Sequence, residues 1–161
     1  MSLYMNGIEY APFIAVTEET LEKVCYGEQA LQYEVGKNAL EVTTYLNDYV
    51  EYDSENRQFT VLKDFVALIT VWVMNYKSST LAPSGQLYIN DVRQSSYTAT
   101  SAANSKGGKT IDVELHQGDI VYVKTPNDDG WPTQRIKIYK TQQGLYNLFL
   151  EAEAYGNEVT D

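Results

Sequence analysis

A chain of 161 residues, 43% of them hydrophobic, carries enough apolar material for one domain-sized core, which sets it apart from disordered sequences. Its formal charge of −10 repels phosphate backbones and anionic bilayers, and so argues against nucleic-acid binding and membrane association. Its one cysteine, Cys25, allows neither an internal disulfide nor a multi-thiolate metal site, and the most apolar run, residues 65–74, falls short of the roughly 20 residues of a membrane span.

The first residues, Met1-Ser2-Leu3-Tyr4, lack the basic-then-apolar order of a secretory leader, so assembly in the cytoplasm is expected. Asn6-Gly7 is a turn signal, with Ile8-Glu9-Tyr10 as one strand of a small hairpin that Pro12 interrupts. The spacing over 17–34 predicts a helix: Thr17 serves as N-cap, Glu18 and Glu19 suit the positive end of the dipole, and Leu21, Val24, Cys25 and Leu31 fall near one face. Gly27 weakens that helix and Gly36 could end it.

From residue 40 the pattern turns to strands: 40–44, 49–52 followed by a polar turn at 53–56, and 59–62. Residues 65–76 are nearly continuous in Val, Ile, Leu, Trp and Tyr, as in a central strand covered on both faces, with Trp72 in the core. A loop over 77–86 leads to a strand at 87–89 closed by Asn90-Asp91. Residues 95–109 read as a long exposed connection with an edge strand at 97–100. Residues 110–115 alternate, with Ile111, Val113 and Leu115 on one face. His116-Gln117-Gly118-Asp119 turns the chain into a strand at 120–124, a loop spans 126–132, and 135–140 alternates again. Residues 145–154 fit a last strand or a short helix. About eight short strands spaced by roughly ten residues predict a mainly β fold, an antiparallel sandwich or barrel.

The run Phe59-Thr60-Val61-Leu62-Lys63-Asp64-Phe65-Val66-Ala67-Leu68-Ile69-Thr70-Val71, then Leu87-Tyr88-Ile89-Asn90, then 110–115 and Gln117-Gly118-Asp119-Ile120-Val121-Tyr122-Val123, resembles the trimeric jelly roll of tumour necrosis factor and the globular heads of complement-type proteins. The likeness runs from 59 to 140. It implies a jelly-roll β-sandwich head over 40–161, behind an N-terminal attachment segment over 1–39 with one helix, and a homotrimer. Similar heads occur in bacteriophage fibres, baseplates and receptor-binding proteins. The expected role is therefore a non-enzymatic virion component in assembly or host-surface attachment, with other virion proteins and a cell-surface saccharide as partners. The alternative is a bacterial carbohydrate-binding module or surface adhesin.

Motifs for chemistry are sparse. Gly107-Gly108-Lys109-Thr110 superficially resembles a phosphate loop, but Ala103 stands where the first glycine belongs and a strand follows instead of a helix. His116, the only histidine, lies in a polar turn and is expected to be solvated; with no Gly-x-Ser-x-Gly elbow, no catalytic residue is assigned. Glu151 and Glu153 read as solvated charges, and no cofactor or metal is expected. Asp128, Asp129 and Trp131, in the 126–132 loop, join an aromatic ring to carboxylates, a pairing that can stack on a sugar and accept its hydroxyls; Tyr97 is a further candidate. Tyrosine is over-used, 14 copies against 4 phenylalanines, and Tyr76, Tyr88 and Tyr122 suit either a subunit interface or ordinary sandwich packing.

Overall fold

In the computed structural model the described residues are 3–5, 8–10, 21–29 and 34–141. Strands β1 (Leu3–Met5) and β2 (Ile8–Tyr10) pair antiparallel with Met5 opposite Ile8, the hairpin expected around residues 6–7.

Residues Lys23–Lys140 form one compact unit. Its first strand, β3 (Glu22–Gln29), occupies the middle of the helix expected over 17–34, a correction; residues 17–20 and 30–33 lie outside the described ones. Two features decide for the strand. Val24 and Tyr26 prefer pleated backbone. Gly27, a poor helix former, lies against the core: a Cβ there would meet Leu40 Cδ1 at 3.0 Å and Ile136 Cγ2 at 3.1 Å.

The remaining strands are β4 (Gly36–Lys37), β5 (Leu40–Thr44), β6 (Val50–Asp53), β7 (Gln58–Val61), β8 (Phe65–Asn75), β9 (Ser84–Ile89), β10 (Val92–Thr98), β11 (Ser105–Leu115), β12 (Ile120–Thr125) and β13 (Pro132–Lys140). They build two antiparallel sheets. One is five-stranded, in the order β11-β8-β13-β3-β5; the other is six-stranded, β10-β9-β12-β7-β6, with β4 on the end of β12. From β7 onward the chain crosses repeatedly between the sheets, as a jelly roll does. β3 and β4 belong to these sheets although they precede residue 40.

Turn chemistry matches the sequence. Asn90 and Asp91 both take positive φ, 51° and 63°, the two-residue turn that suits the twist of a hairpin. Gly118 has φ 91°, and the Asp119 carboxylate accepts the His116 amide at 2.8 Å. The 95–109 connection is shorter than expected, because β11 begins at Ser105 and β10 runs to Thr98. Polar residues suffice there because β11 is an edge strand, and its partner β8 supplies the apolar side chains.

The core is the set of inward side chains, with Phe59, Ile69, Leu87, Leu115, Ile136 and Ile138 fully buried. Each contributes roughly 1.5–3 kcal/mol by leaving water. Through this core passes a polar bridge that no sequence pattern announced. Tyr97 donates its hydroxyl to Gln134 Oε1, and Gln134 Nε2 donates to Asn38 Oδ1 (2.6 Å) and Thr125 Oγ1 (3.1 Å). Thr125 Oγ1 also donates to Asn38 Oδ1 at 2.9 Å. The bridge joins β13 of one sheet to β10 and β12 of the other. Gly85 makes room for it, since a Cβ there would stand 2.4 Å from the Tyr97 ring.

Loss of one member leaves the others buried and unpaired, at about 1–3 kcal/mol per group. Gln134→Met, which keeps the volume, is expected to lower the unfolding free energy by about 2–3 kcal/mol in a urea titration. An unchanged midpoint would show that the bridge adds nothing to stability.

Candidate functional site

Strand β8 sets the first surface. Its odd-numbered residues Ile69, Val71 and Val73 are fully buried, while Leu68, Thr70, Trp72 and Met74 point outward and are half-buried. Trp72, expected in the core, therefore stands on the outward face of the five-stranded sheet. The period-two geometry of a strand permits nothing else once its neighbours Val71 and Val73 face the core. Gly108, in register with it on β11, leaves space: a Cβ there would lie 2.7 Å from Trp72 Cβ. The Gly107-Gly108 pair thus serves close packing within a strand. Gly107 in turn has no room for a Cβ beside the Thr98 carbonyl.

A connected set of polar groups surrounds Trp72. The Arg135 guanidinium lies 4.4 Å from the ring centroid and Lys106 Nζ 4.9 Å. Arg135 Nη2 is paired with Glu28 Oε1 at 2.8 Å, and Tyr26 donates its hydroxyl to Glu28 Oε2 at 2.7 Å. The Tyr26 hydrogen bond first, and then the hydrogen bond and charge of Arg135, hold the Glu28 carboxyl below its ordinary value of 4.5, against the opposing cost of burial. Thr70 and Thr110 pair across the strands at 3.2 Å. Sequence reasoning missed this surface, although the run of apolar residues on both faces of β8 was its signal.

The second surface is the loop end of the sandwich. Trp131 is 37% exposed and packs edge-to-face on Tyr76, with centroids 5.9 Å apart and Lys77 Nζ 5.0 Å from the indole. Buried Asn75 ties the loops together: its Oδ1 accepts the Trp131 amide, its Nδ2 donates to the Thr100 carbonyl, and its own carbonyl accepts the Asn104 amide. Asp128 is exposed and Asp129 half-buried in the same loop as Trp131. Tyr97 does not join them. It is 3% exposed, a core residue of β10 whose hydroxyl is turned onto Gln134, and burial drives its phenol far above the ordinary range.

Tyr88 and Tyr122 stack in parallel at 5.1 Å on the outward face of the six-stranded sheet. Tyr76 lies at the end of the other sheet's β8, so these three tyrosines occupy separate places. Elsewhere, His116 is exposed, with its Nδ1 3.8 Å from an exposed Asp64 carboxylate. Burial pushes the Cys25 thiol up to about 12, which makes it unreactive. Among the described residues no group of three or more His, Cys, Asp or Glu side chains is placed to hold a metal, and no helix is long and apolar enough to cross a membrane. The last segment considered in the sequence, 145–154 with Glu151 and Glu153, lies outside the described residues.

No family model and no curated protein matches the sequence. Solved structures do match the fold. Murine APRIL superposes with a TM-score of 0.58 at 13% identity, over 74% of this chain and 99% of that one. The globular domain of a zebrafish complement 1qA protein gives 0.56 at 11%, over 75% and 98%. The Eiger TNF of S. frugiperda gives 0.54 at 12%, over 76% and 94%. The chain has the jelly-roll fold of tumour necrosis factor and complement heads.

The depressed Glu28 pKa has a defined consequence. A carboxylate held below its unfolded value adds stability that is fully present above pH 4.5 and is lost as pH falls through the folded value. Glu28→Gln is expected to unfold more readily than the parent at pH 7, and the two to converge as the pH drops through the folded value of the carboxyl, below 4.5. An equal gap at both pH values would contradict an electrostatic role for Glu28.

Proposed function

We propose that the chain is a non-enzymatic binding and assembly module that works as a homotrimer, with the outward face of the five-stranded sheet as the contact between copies. One observation carries this reading: β8 is apolar on both faces, and the sandwich seals only one of them. Antiparallel sheets that face water usually alternate apolar with polar. Here the outward row is Leu68, Thr70, Trp72 and Met74, flanked by Tyr26 and Arg135. Tryptophan and arginine are the residues that most often anchor protein interfaces. A closed ring of copies uses such a face without leaving an open filament. The shared fold with tumour necrosis factor and complement heads supports three copies.

The setting we favour is a phage or prophage particle, in a fibre, baseplate or head decoration, with the residues ahead of β3, the first part of the 1–39 segment, as the attachment segment. The acidic charge supports it, because such a module must not compete for packaged nucleic acid. In that setting three sandwiches present three copies of the Trp131 loop, with Asp128 and Asp129, to a surface saccharide, and weak sites act together. The exposed Trp131–Tyr76 pair also favours a second reading, a monomeric carbohydrate-binding module or surface adhesin.

Sedimentation velocity separates the two. The parent is expected to sediment as three chains, and Leu68→Asp, which buries a charge in the contact, as one chain with the fold retained. A parent that sediments as a single 18.2 kDa chain would favour the second reading. For the setting, neighbouring genes for capsid, portal or tail proteins are expected; metabolic neighbours would contradict it.

A further inference from the structure

The outward face of the six-stranded sheet carries an arrangement that neither the fold nor the trimer requires. Tyr88 on β9 and Tyr122 on β12 are cross-strand partners, and their rings lie 2° from parallel. Lys37 Nζ sits 4.2 Å from the Tyr122 centroid and Lys124 Nζ 5.3 Å from that of Tyr88. Both phenols are aimed: Tyr88 donates to Gln86 Oε1 and Tyr122 to Asp91 Oδ1, each at 2.9 Å. Lys37 also donates to Gln58 Oε1 at 2.8 Å. On the other side of Tyr88, directly opposite it on β10, stands exposed Arg93, with no hydrogen bond or ion pair among the described residues.

Surface lysines are normally free to swing. Here the tyrosine rings fix two ammonium groups over the sheet, so a ligand need not restrict them on binding. Lys124 pairs with Gln86 and Arg93 with Tyr88, so the two cations are two strands apart and two residues offset along them, about 12 Å between Cα atoms. Between them on β9 lie Gln86, level with Lys124, and Tyr88, level with Arg93; Ser96 stands beside Gln86 on β10. Charged groups at that interval, with an amide and hydroxyls beside them, suit a chain of hydroxyl-bearing rings with spaced carboxylates. The chain's net charge of −10 disfavours a densely charged polymer such as nucleic acid. Three carboxylates border this face: Asp91 accepts Tyr122, Asp53 holds the 53–56 turn and lies near enough to interact with Lys37, and Glu51 is exposed on β6, so the cationic part of the face is its β12-β9-β10 side.

We propose that this face is a binding site for an acidic saccharide, held by Lys37, Lys124 and Arg93 around the stacked Tyr88–Tyr122 pair. It is separate from the Trp131 loop and does not depend on the number of copies in the assembly. The test is calorimetric titration of the full chain, at low salt, with a hyaluronan octasaccharide, which carries one carboxylate per disaccharide, a neutral dextran oligomer of equal length and a glutamate peptide of equal charge. The octasaccharide is expected to bind. Lys37→Gln, Lys124→Gln and Arg93→Gln together should weaken it at least about tenfold, Trp131→Ala should leave it unchanged, and adding salt should reduce it. Arg93→Gln alone, on an exposed strand, gives the same comparison if the triple variant does not fold. The proposal is overturned by a silent octasaccharide titration, by equal affinity in the variants, or by equal binding of the dextran or of the glutamate peptide.

Discussion

The eleven residues of β8 are hydrogen-bonded along their length, to eleven residues of β11 on one side and to nine of β13 on the other. That pairing fixes the strand in its pleat, and the pleat forces alternate side chains apart. Ile69, Val71 and Val73 have to enter the sandwich, and Leu68, Trp72 and Met74 have to leave it. A slip of one residue would exchange the two sets. The register of this one strand therefore decides which side chains close the core and which remain for another surface.

Around that strand the chain spends its polar groups in two ways. Inside, Tyr97, Gln134, Asn38 and Thr125 satisfy one another and join the sheets at a fixed pairing, where plain apolar packing would tolerate sliding. Outside, the aromatic rings of Trp72, Trp131, Tyr88 and Tyr122 each carry a neighbouring cation. An acidic protein thus places several of its few basic groups over aromatic rings on its outer surfaces. Binding, on this account, is a property of outward faces and loop ends, and the interior serves only to hold them in place.

Much of the architecture was legible in the sequence because its signals are local. The alternation of Ile111, Val113 and Leu115, the Asn90-Asp91 turn and the Gly118-Asp119 turn each follow from a few adjacent residues. Strand β3 was not legible. Val24, Cys25 and Leu31 fit helical spacing, and what overrides it is Gly27 meeting Leu40 and Ile136, which are distant in sequence. Tyr97 was misplaced for the same reason: its partner Gln134 is 37 residues away. Among the candidate site residues, Trp131 and Tyr76 do come together, while Trp72 was expected in the core and Arg135 given no role, because a continuous apolar run looks the same whether the second face meets a helix, a sheet or another chain.

The claim that the outward row of β8 is covered by another copy is tested most directly by hydroxyl-radical footprinting across a dilution series, with Trp131 as an exposed internal reference. Trp72 and Met74 should oxidise slowly relative to Trp131 in concentrated protein and approach its rate on dilution, as the copies separate. Oxidation of Trp72 and Met74 at a rate independent of protein concentration would contradict the account.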